Sequence, residues 1–266
     1  MLEKRALVTG AGKRLGRAMA LYLADRGYDV AVHFSKSAAE AGVVVDEITA
    51  MGRRAVALQA DLMDEAATQA LITRAAEALG GSLNCLVNNA AVFEHDTLAS
   101  ASRESWDRHL GTNLRAPFVL CQNFAAQAPK AARDDKGELV SSALIVNMLD
   151  QRVMKLTPEF TSYTIAKMGL WAFSQTAAQA LAPDIRVNAI GPGPTLQAER
   201  QSAAHFKQQR ENLPLGRGAN VQDVTAALGY FLDAVAVTGQ LLCVDGGQNT
   251  AWKTPDILGV EHTKTE

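Results

Sequence analysis

Tyr163 and Lys167 are four residues apart, so on a helix their side chains share one face, a single turn from each other. An ammonium held beside a phenol favours the phenolate. That lets the tyrosine exchange a proton near neutral pH. Thirteen residues before this pair stands Asp150. An ionised carboxylate only accepts hydrogen bonds, so it cannot polarise a carbonyl oxygen as a hydroxyl does. Protonated, or passing a proton from water, it can deliver one to a ring nitrogen while hydride reaches the neighbouring carbon. That is what reduction of a C=N bond requires.

A second group of residues is suited to phosphate. Thr9-Gly10-Ala11-Gly12-Lys13-Arg14-Leu15-Gly16 follows an apolar run and opens a helical one. Glycines there permit a tight turn and close backbone approach, and a helix N-terminus offers free N–H groups to a pyrophosphate. Arg14 adds a guanidinium fork for a cofactor phosphate or the edge of a substrate. The second apolar run ends in His33-Phe34-Ser35-Lys36-Ser37, without the acid that grips a ribose 2′-hydroxyl in NAD-type sites. Lys36 and Ser37 suit a 2′-phosphate, so the expected cofactor is NADPH/NADP.

These groups must be carried by a scaffold, and the pattern predicts one. Strand-like runs at Arg5–Thr9, Asp29–Phe34, Arg54–Gln59, Cys85–Asn88, Ala143–Asn147, Arg186–Ile190 and Gln240–Val244 alternate with helical patterns. The helical patterns cover Arg14–Arg26, Ala38–Met51, Asp64–Leu79, Asn113–Ala128, Ser162–Leu181 and Val221–Ala234. Such alternation predicts an α/β Rossmann fold, a doubly wound seven-stranded parallel sheet with helices on both faces. The 266 residues, 48% hydrophobic and 20% charged, suit one domain over 1–250, followed by a tail over 251–266. A net charge of −2 gives no field for nucleic acid or a membrane surface. Cys85, Cys121 and Cys243 are far apart in apolar runs and suggest buried thiols rather than metal ligands. Met1 to Arg5 lead directly into the first strand without a signal-like apolar segment, and the expectation is a soluble cytoplasmic protein without metal.

From about Ala6 to Gly247 the chain resembles the short-chain dehydrogenase/reductase family. The matching residues are Thr9-Gly10 and Gly16, Asp61-Leu62, Asn88-Asn89-Ala90-Ala91, Asn113, Tyr163 with Lys167, Pro192-Gly193, and Val244-Asp245-Gly246-Gly247. The resemblance implies that Asp61 and Leu62 meet the adenine and that Asn88, Asn89 and Ala90 line the cofactor floor. It also implies that Pro192 and Gly193 flank the nicotinamide and that Asn113 holds a water next to Lys167. Asp150 occupies the slot where the family usually carries a serine, and Arg14 one where most members carry glycine. Both departures are similar to the pteridine reductases and the bacterial dihydromonapterin or dihydrofolate reductases of this family. In those enzymes an aromatic four residues after Asn89, here Phe93, stacks the pterin on the nicotinamide. They also have a His-aromatic-x-basic-Ser run like that of His33, Phe34, Lys36 and Ser37, which implies that these residues bind the cofactor, with His33, Lys36 and Ser37 on its phosphate side.

The implied activity is NADPH-dependent reduction of a pterin C=N bond. Asp150, Tyr163, Lys167 and Asn113 would be catalytic, and Arg14, Phe93, Thr195 and Leu196 would face the substrate. A substrate lid is expected over about 194–215. Members commonly pair through the helices matching Asn113–Ala128 and Ser162–Leu181 as homodimers or homotetramers. Two alternatives remain open: a reductase of ketones, sugars or 3-oxoacyl groups, and a non-catalytic NADP-binding protein.

Overall fold

The first apolar run explains the layering. Successive strand side chains point to opposite faces of a sheet. Ala6 and Val8 enter one core cluster and Leu7 the other, all three fully buried. A strand covered on both faces reads as a continuous apolar run, as parallel sheets require. The computed structural model describes residues 3–198 and 201–254. Its strands are β1 (Arg5–Val8), β2 (Asp29–Phe34), β3 (Ala55–Gln59), β4 (Cys85–Asn88), β5 (Ala132–Arg133), β6 (Leu139–Val140), β7 (Ala143–Met148), β8 (Ile185–Pro192) and β9 (Leu241–Val244). Seven of them form one parallel sheet in the order β3-β2-β1-β4-β7-β8-β9, while β5 and β6 make a separate antiparallel hairpin.

The helices are α1 (Arg14–Asp25), α2 (Ala38–Ala50), α3 (Glu65–Leu79), α4 (Arg103–Leu110), α5 (Ala116–Gln127), α6 (Thr161–Leu181), α7 (Ala203–Glu211) and α8 (Val221–Asp233). Met19 and Leu23 of α1, Ile48 of α2 and Phe231 of α8 fill the cluster on one face. Leu71 of α3, Phe124 of α5 and Ala178 of α6 fill the other. Truncating a buried aromatic such as Phe124 to alanine costs about 3–5 kcal/mol, because lost transfer energy and a residual cavity add. Local signals set the ends of α3. Asp64 accepts from the Ala67 N–H at its start, and Gly80 closes it at φ 77°, a left-handed cap open to glycine. Strand order reverses between β1 and β4, so the crevice beyond their carboxyl ends is where this fold binds ligands.

The single α/β domain and its sheet agree with the sequence reading; the differences are local. Helix α4 was not foreseen, because its stretch Arg-Glu-Ser-Trp-Asp-Arg-His-Leu buries only His109 and shows no apolar stripe. Its start is fixed by a reciprocal Ser102–Ser105 capping box, which stabilises a short helix without apolar periodicity. The helix expected from Asn113 instead begins with a π-turn, Gly111–Arg115, that joins α4 to α5. Strand β8 runs two residues beyond Ile190 and carries Pro192 at its end. The hairpin and α7 also lay outside the expected elements.

Candidate active site

The carboxyl ends of β1, β4, β7 and β8 open into a cleft of about 890 Å³. Gly10, Lys13, Arg14, Leu15 and Gly16 line it from the turn after β1, and His33 and Lys36 from the end of β2. Asp61, Leu62, Asn89, Ala90 and Phe93 follow from the next loops, and Asp150, Tyr163, Lys167, Pro192, Gly193, Thr195 and Leu196 complete it. Four expected residues stand back from the cleft. Phe34 packs against the core, and the Ser37 Oγ lies where a Cβ on Gly12 would meet it at 2.8 Å. Asn88 and Asn113 are buried, with the roles given below.

At the nucleotide end the turn is built by close backbone approach. A Cβ on Gly16 would lie 2.1 Å from the Gly10 carbonyl oxygen and 2.5 Å from the Asn89 amide nitrogen. That amide donates to the Thr9 and Gly10 carbonyls at 2.8 and 3.2 Å, so the floor and the turn are one bonded unit. His33 completes it. Its Nδ1 accepts from the Gly10 N–H at 3.0 Å and its Nε2 pairs with the Ala60 carbonyl at 3.2 Å. Burial lowers its pKa to about 4, so the ring is neutral at physiological pH and offers no charge to a phosphate. The expected phosphate contact is thus a brace for the turn. Lys36 is exposed and has no carboxylate partner among the described residues. Lys13 pairs with Glu40 at 2.6 Å. Asp61 accepts from the Met63 N–H at 3.0 Å. A glycine cradle, a free lysine after β2 and the absence of an acid at that strand end fit NADP.

Arg14 departs from its expected contacts. Its backbone has φ 53°, a left-handed conformation costing a non-glycine residue about 1–2 kcal/mol. Its fork is taken up by the chain itself, donating to the Gln197 and Leu196 carbonyls at 2.9 and 3.1 Å. It therefore ties the glycine turn to the segment after β8. Helix α7 of that segment buries none of its residues. Its Arg210 donates to the Pro194 carbonyl at 2.7 Å and to the Gly218 carbonyl at 2.9 Å. Thr195 donates to the Gly193 carbonyl at 3.1 Å, which occupies the hydroxyl expected to face the substrate. The described part of the 251–266 tail ends at Thr254, and the rest lies outside the described residues.

At the catalytic end the tyrosine hydroxyl donates to the Asp150 carboxylate at 3.1 Å. The other carboxylate oxygen accepts from the Arg152 N–H at 2.8 Å, which fixes the side chain over a short 3₁₀ turn, Gln151–Val153. The Tyr163 pKa is raised well above its ordinary value, first by burial and then by the negative charge and hydrogen bond of Asp150. This reverses the expectation that Lys167 stabilises a phenolate. The lysine ammonium lies 5.8 Å from the tyrosine ring centroid and donates to the Met148 carbonyl at 2.7 Å. Burial lowers its pKa to about 8, partly opposed by Asp150. Tyr163 is therefore a protonated phenol aimed at a carboxylate.

Asn113 sits in the π-turn, fully buried, and its amide is taken up by Val92: it accepts from that N–H and donates to that carbonyl, both at 2.8 Å. Its side chain fixes the segment carrying Phe93. Asn88 likewise donates to Asn147 at 2.8 Å, and Asn147 to Ser174 at 2.8 Å, tying β4, β7 and α6 together beneath the cleft.

The far wall is aromatic. Phe93 stacks on Phe160 with centroids 4.4 Å apart and planes 8° from parallel, and meets Tyr163 edge-on at 4.7 Å. Phe160 holds φ 60° at the start of α6. Beneath it His109, Ser162 and Asp96 form a buried chain. The Glu94 N–H donates to His109 Nε2 at 3.2 Å, leaving Nδ1–H to donate to Ser162 Oγ at 2.7 Å, and Ser162 donates to Asp96. This Ser-His-Asp set is buried and joins the Phe93 loop to α4 and α6. Sequence reasoning missed Phe160, Gln151 and Arg152 in this wall. A signal existed only for the last two, polar residues directly after Asp150.

Residues 10–249 match the family model described as enoyl-(acyl carrier protein) reductase. The chain is 32% identical over 251 residues to the 3-oxoacyl-[acyl-carrier-protein] reductase FabG of Staphylococcus aureus, covering 92% of this chain and 98% of that one. It superposes on the alternative dihydrofolate reductase FolM of Brucella suis, solved with NADP, with a TM-score of 0.88 and 39% identity over 96% of this chain and 98% of that one. A short-chain dehydrogenase of Burkholderia cenocepacia, also solved with NADP, matches with a TM-score of 0.82 and 33% identity over 92% and 98%. With the tyrosine and lysine one helical turn apart at the strand ends and the glycine turn opposite them, the chain belongs to the short-chain dehydrogenase/reductase family of oxidoreductases.

Proposed function

We propose that the protein is an NADPH-dependent reductase of a pterin-type C=N bond, in a dihydropteridine, dihydromonapterin or dihydrofolate. The observation that carries this reading is the 3.1 Å bond from Tyr163 to Asp150. Where a carbonyl reductase needs a hydroxyl donor, this site presents a carboxylate that holds the tyrosine's proton in line. When bound, NADPH supplies the hydride. Hydride addition to the carbon of a C=N bond leaves an electron pair on nitrogen, a far stronger base than a phenolate or carboxylate. Tyr163 and Asp150 then need only store a proton and pass it on, and a phenol of raised pKa does that. Gly10, Gly16, Asn89 and Ala90 cradle the pyrophosphate side, Lys36 meets the 2′-phosphate, and Lys167 with the Pro192-Gly193 turn holds the nicotinamide side. Phe93 covers the pterin face. The likeness to FolM supports the substrate class.

The test is Asp150→Ser and Asp150→Ala, assayed with dihydropterins and with NADPH titration. Turnover is expected to fall about 10²-fold, the usual contribution of a positioned proton-transfer group, with NADPH affinity within two-fold of wild type. Unchanged turnover sinks the role of Asp150. A second reading, reduction of a ketone, sugar or 3-oxoacyl group, is favoured by the likeness to FabG. A panel followed at the NADPH absorbance separates the readings: pterin turnover, ketone turnover, or neither, the last being the outcome for a non-catalytic NADP-binding protein.

The segment 194–215, of which 199 and 200 lie outside the described residues, acts as the substrate lid in this reading, with Phe206 and Gln209 of α7 lining the cleft. Ile165 and Met168 are exposed on α6, an apolar face suited to a second copy, so a homodimer or homotetramer is part of the proposal and sizing chromatography tests it. Among the described residues no helix is long and apolar enough to cross a membrane; a cytoplasmic location is part of the proposal.

A further inference from the structure

The cleft wall beyond Phe93 carries a cation whose hydrogen-bonding capacity is largely unused. Arg152 lines the cleft, and its guanidinium lies 5.0 Å over the Phe160 ring, which in turn stacks on Phe93 at 4.4 Å. Its Nη1 donates to the Thr157 hydroxyl and, at 3.5 Å, to the Glu159 carbonyl, both neutral. Its Nε is enclosed without a hydrogen-bond partner, and among the described residues Nη2 meets no carboxylate. The guanidinium therefore keeps its Nη2 donors and its charge for an anion that enters the cleft, and a planar carboxylate is the anion a guanidinium matches best.

The other arginines of the cleft are occupied. Arg108 pairs with Glu94 at 2.9 Å, and Arg14 holds the Leu196 and Gln197 carbonyls. Lys13 and Lys36 lie at the opposite, nucleotide end. The group directly next to Arg152 in the wall is Gln151, more than nine-tenths buried, whose Oε1 also has no partner. Two adjacent side chains with unmet hydrogen-bonding capacity therefore sit between Asp150 and the mouth of the aromatic wall. Of the two, only the guanidinium can bond an anion, since the Gln151 Oε1 is itself an acceptor.

We propose that Arg152 is a specificity-determining residue that binds a carboxylate on the substrate's tail, one aromatic spacer away from the reacting ring. This rests on the pterin reading and narrows it. Phe93 and Arg152 line the same cleft, so a ring covered by Phe93 has the guanidinium within reach of its substituent, and the preferred substrate is a pterin with an anionic side chain, as in dihydrofolate, over one with a neutral polyol side chain, as in dihydromonapterin or dihydrobiopterin.

The experiment measures KM and kcat for dihydrofolate and dihydrobiopterin in wild type, Arg152→Met and Arg152→Lys, with NADPH affinity as the control for folding. The expected result is a KM for dihydrofolate raised at least ten-fold in Arg152→Met and partly restored in Arg152→Lys, while KM for dihydrobiopterin and NADPH affinity stay within two-fold. As an independent readout, p-aminobenzoyl-glutamate should inhibit wild type competitively against dihydrofolate and lose that inhibition in Arg152→Met. Equal KM shifts for both pterins, or none for either, overturn the assignment and leave the pterin reading standing. If wild type reduces neither pterin, the functional reading falls and takes the tail assignment with it.

Discussion

The two ends of the cleft are built on opposite plans. At the nucleotide end the polar groups of the turn are bonded to backbone: His33 to Gly10 and Ala60, Asn89 to Thr9 and Gly10. At the substrate end the wall keeps free capacity in Gln151 Oε1 and Arg152 Nε, beside a phenol and carboxylate that share one proton. The first end is rigid because close approach leaves no alternative. The second is defined by side chains, so a few substitutions can redirect it. Members of one family can thus share a cofactor site and differ in substrate.

Tyr163→Phe is the largest break, because it removes the stored proton and leaves the nucleotide end untouched. Turnover is expected to fall about 10³-fold, with NADPH affinity unchanged by fluorescence titration. Gly16→Ala does the reverse. Its Cβ would fall 2.1 Å from a carbonyl oxygen, a backbone clash that cannot relax cheaply. Weakening of NADPH binding by about 10²-fold is expected, with a loss of about 1–3 kcal/mol in denaturant unfolding; normal affinity would show that the turn is looser than the contacts imply. Lys36→Glu places an acid after β2, as in NAD-type sites. Preference should shift from NADPH toward NADH by about ten-fold, read as the ratio of kcat/KM values.

The smallest effects on turnover are in pH, and the two ends are separated by the window in which each responds. Lys167 carries a folded pKa of about 8, below its ordinary 10.5. It loses charge as pH rises through 8, and kcat should fall several-fold above that point. Its stability effect runs the other way: the unfolded chain binds the extra proton between 8 and 10.5, so stability rises with pH there. His33, at about 4 against 6.5, makes stability fall as pH drops from 6.5 through 4, by up to the order of 3 kcal/mol. His33→Gln should flatten that acid slope in thermal melts while leaving the alkaline limb of kcat in place.

The sheet and most helices were legible because burial on both faces writes continuous apolar runs into strands such as β1 and β8. The catalytic pair and the glycine turn were legible because their spacing is local. What was not legible depends on contacts between distant segments. His33 looks like a cation after a strand until Ala60 and Gly10 take both its nitrogens. Asn113 looks like an open polar group until Val92 closes over it. Arg14 offers a fork that only the folded chain shows to be occupied. Phe160 gave no signal, since nothing in Glu-Phe-Thr-Ser announces a left-handed residue stacked on a partner 67 positions earlier. The sign of the Tyr163 shift was missed for the same reason: spacing placed the lysine but did not weigh burial against it.

Arg14 links the two plans. One side chain leaves a turn that favours glycine and ends on the carbonyls of Leu196 and Gln197. Glycine at that position would ease the backbone and cut the only such arginine tether from the turn to that segment among the described residues. The position thus trades local comfort for coordination: one side chain makes the glycine turn and the start of the segment after β8 a single bonded unit, so that any displacement of either would be felt by the other.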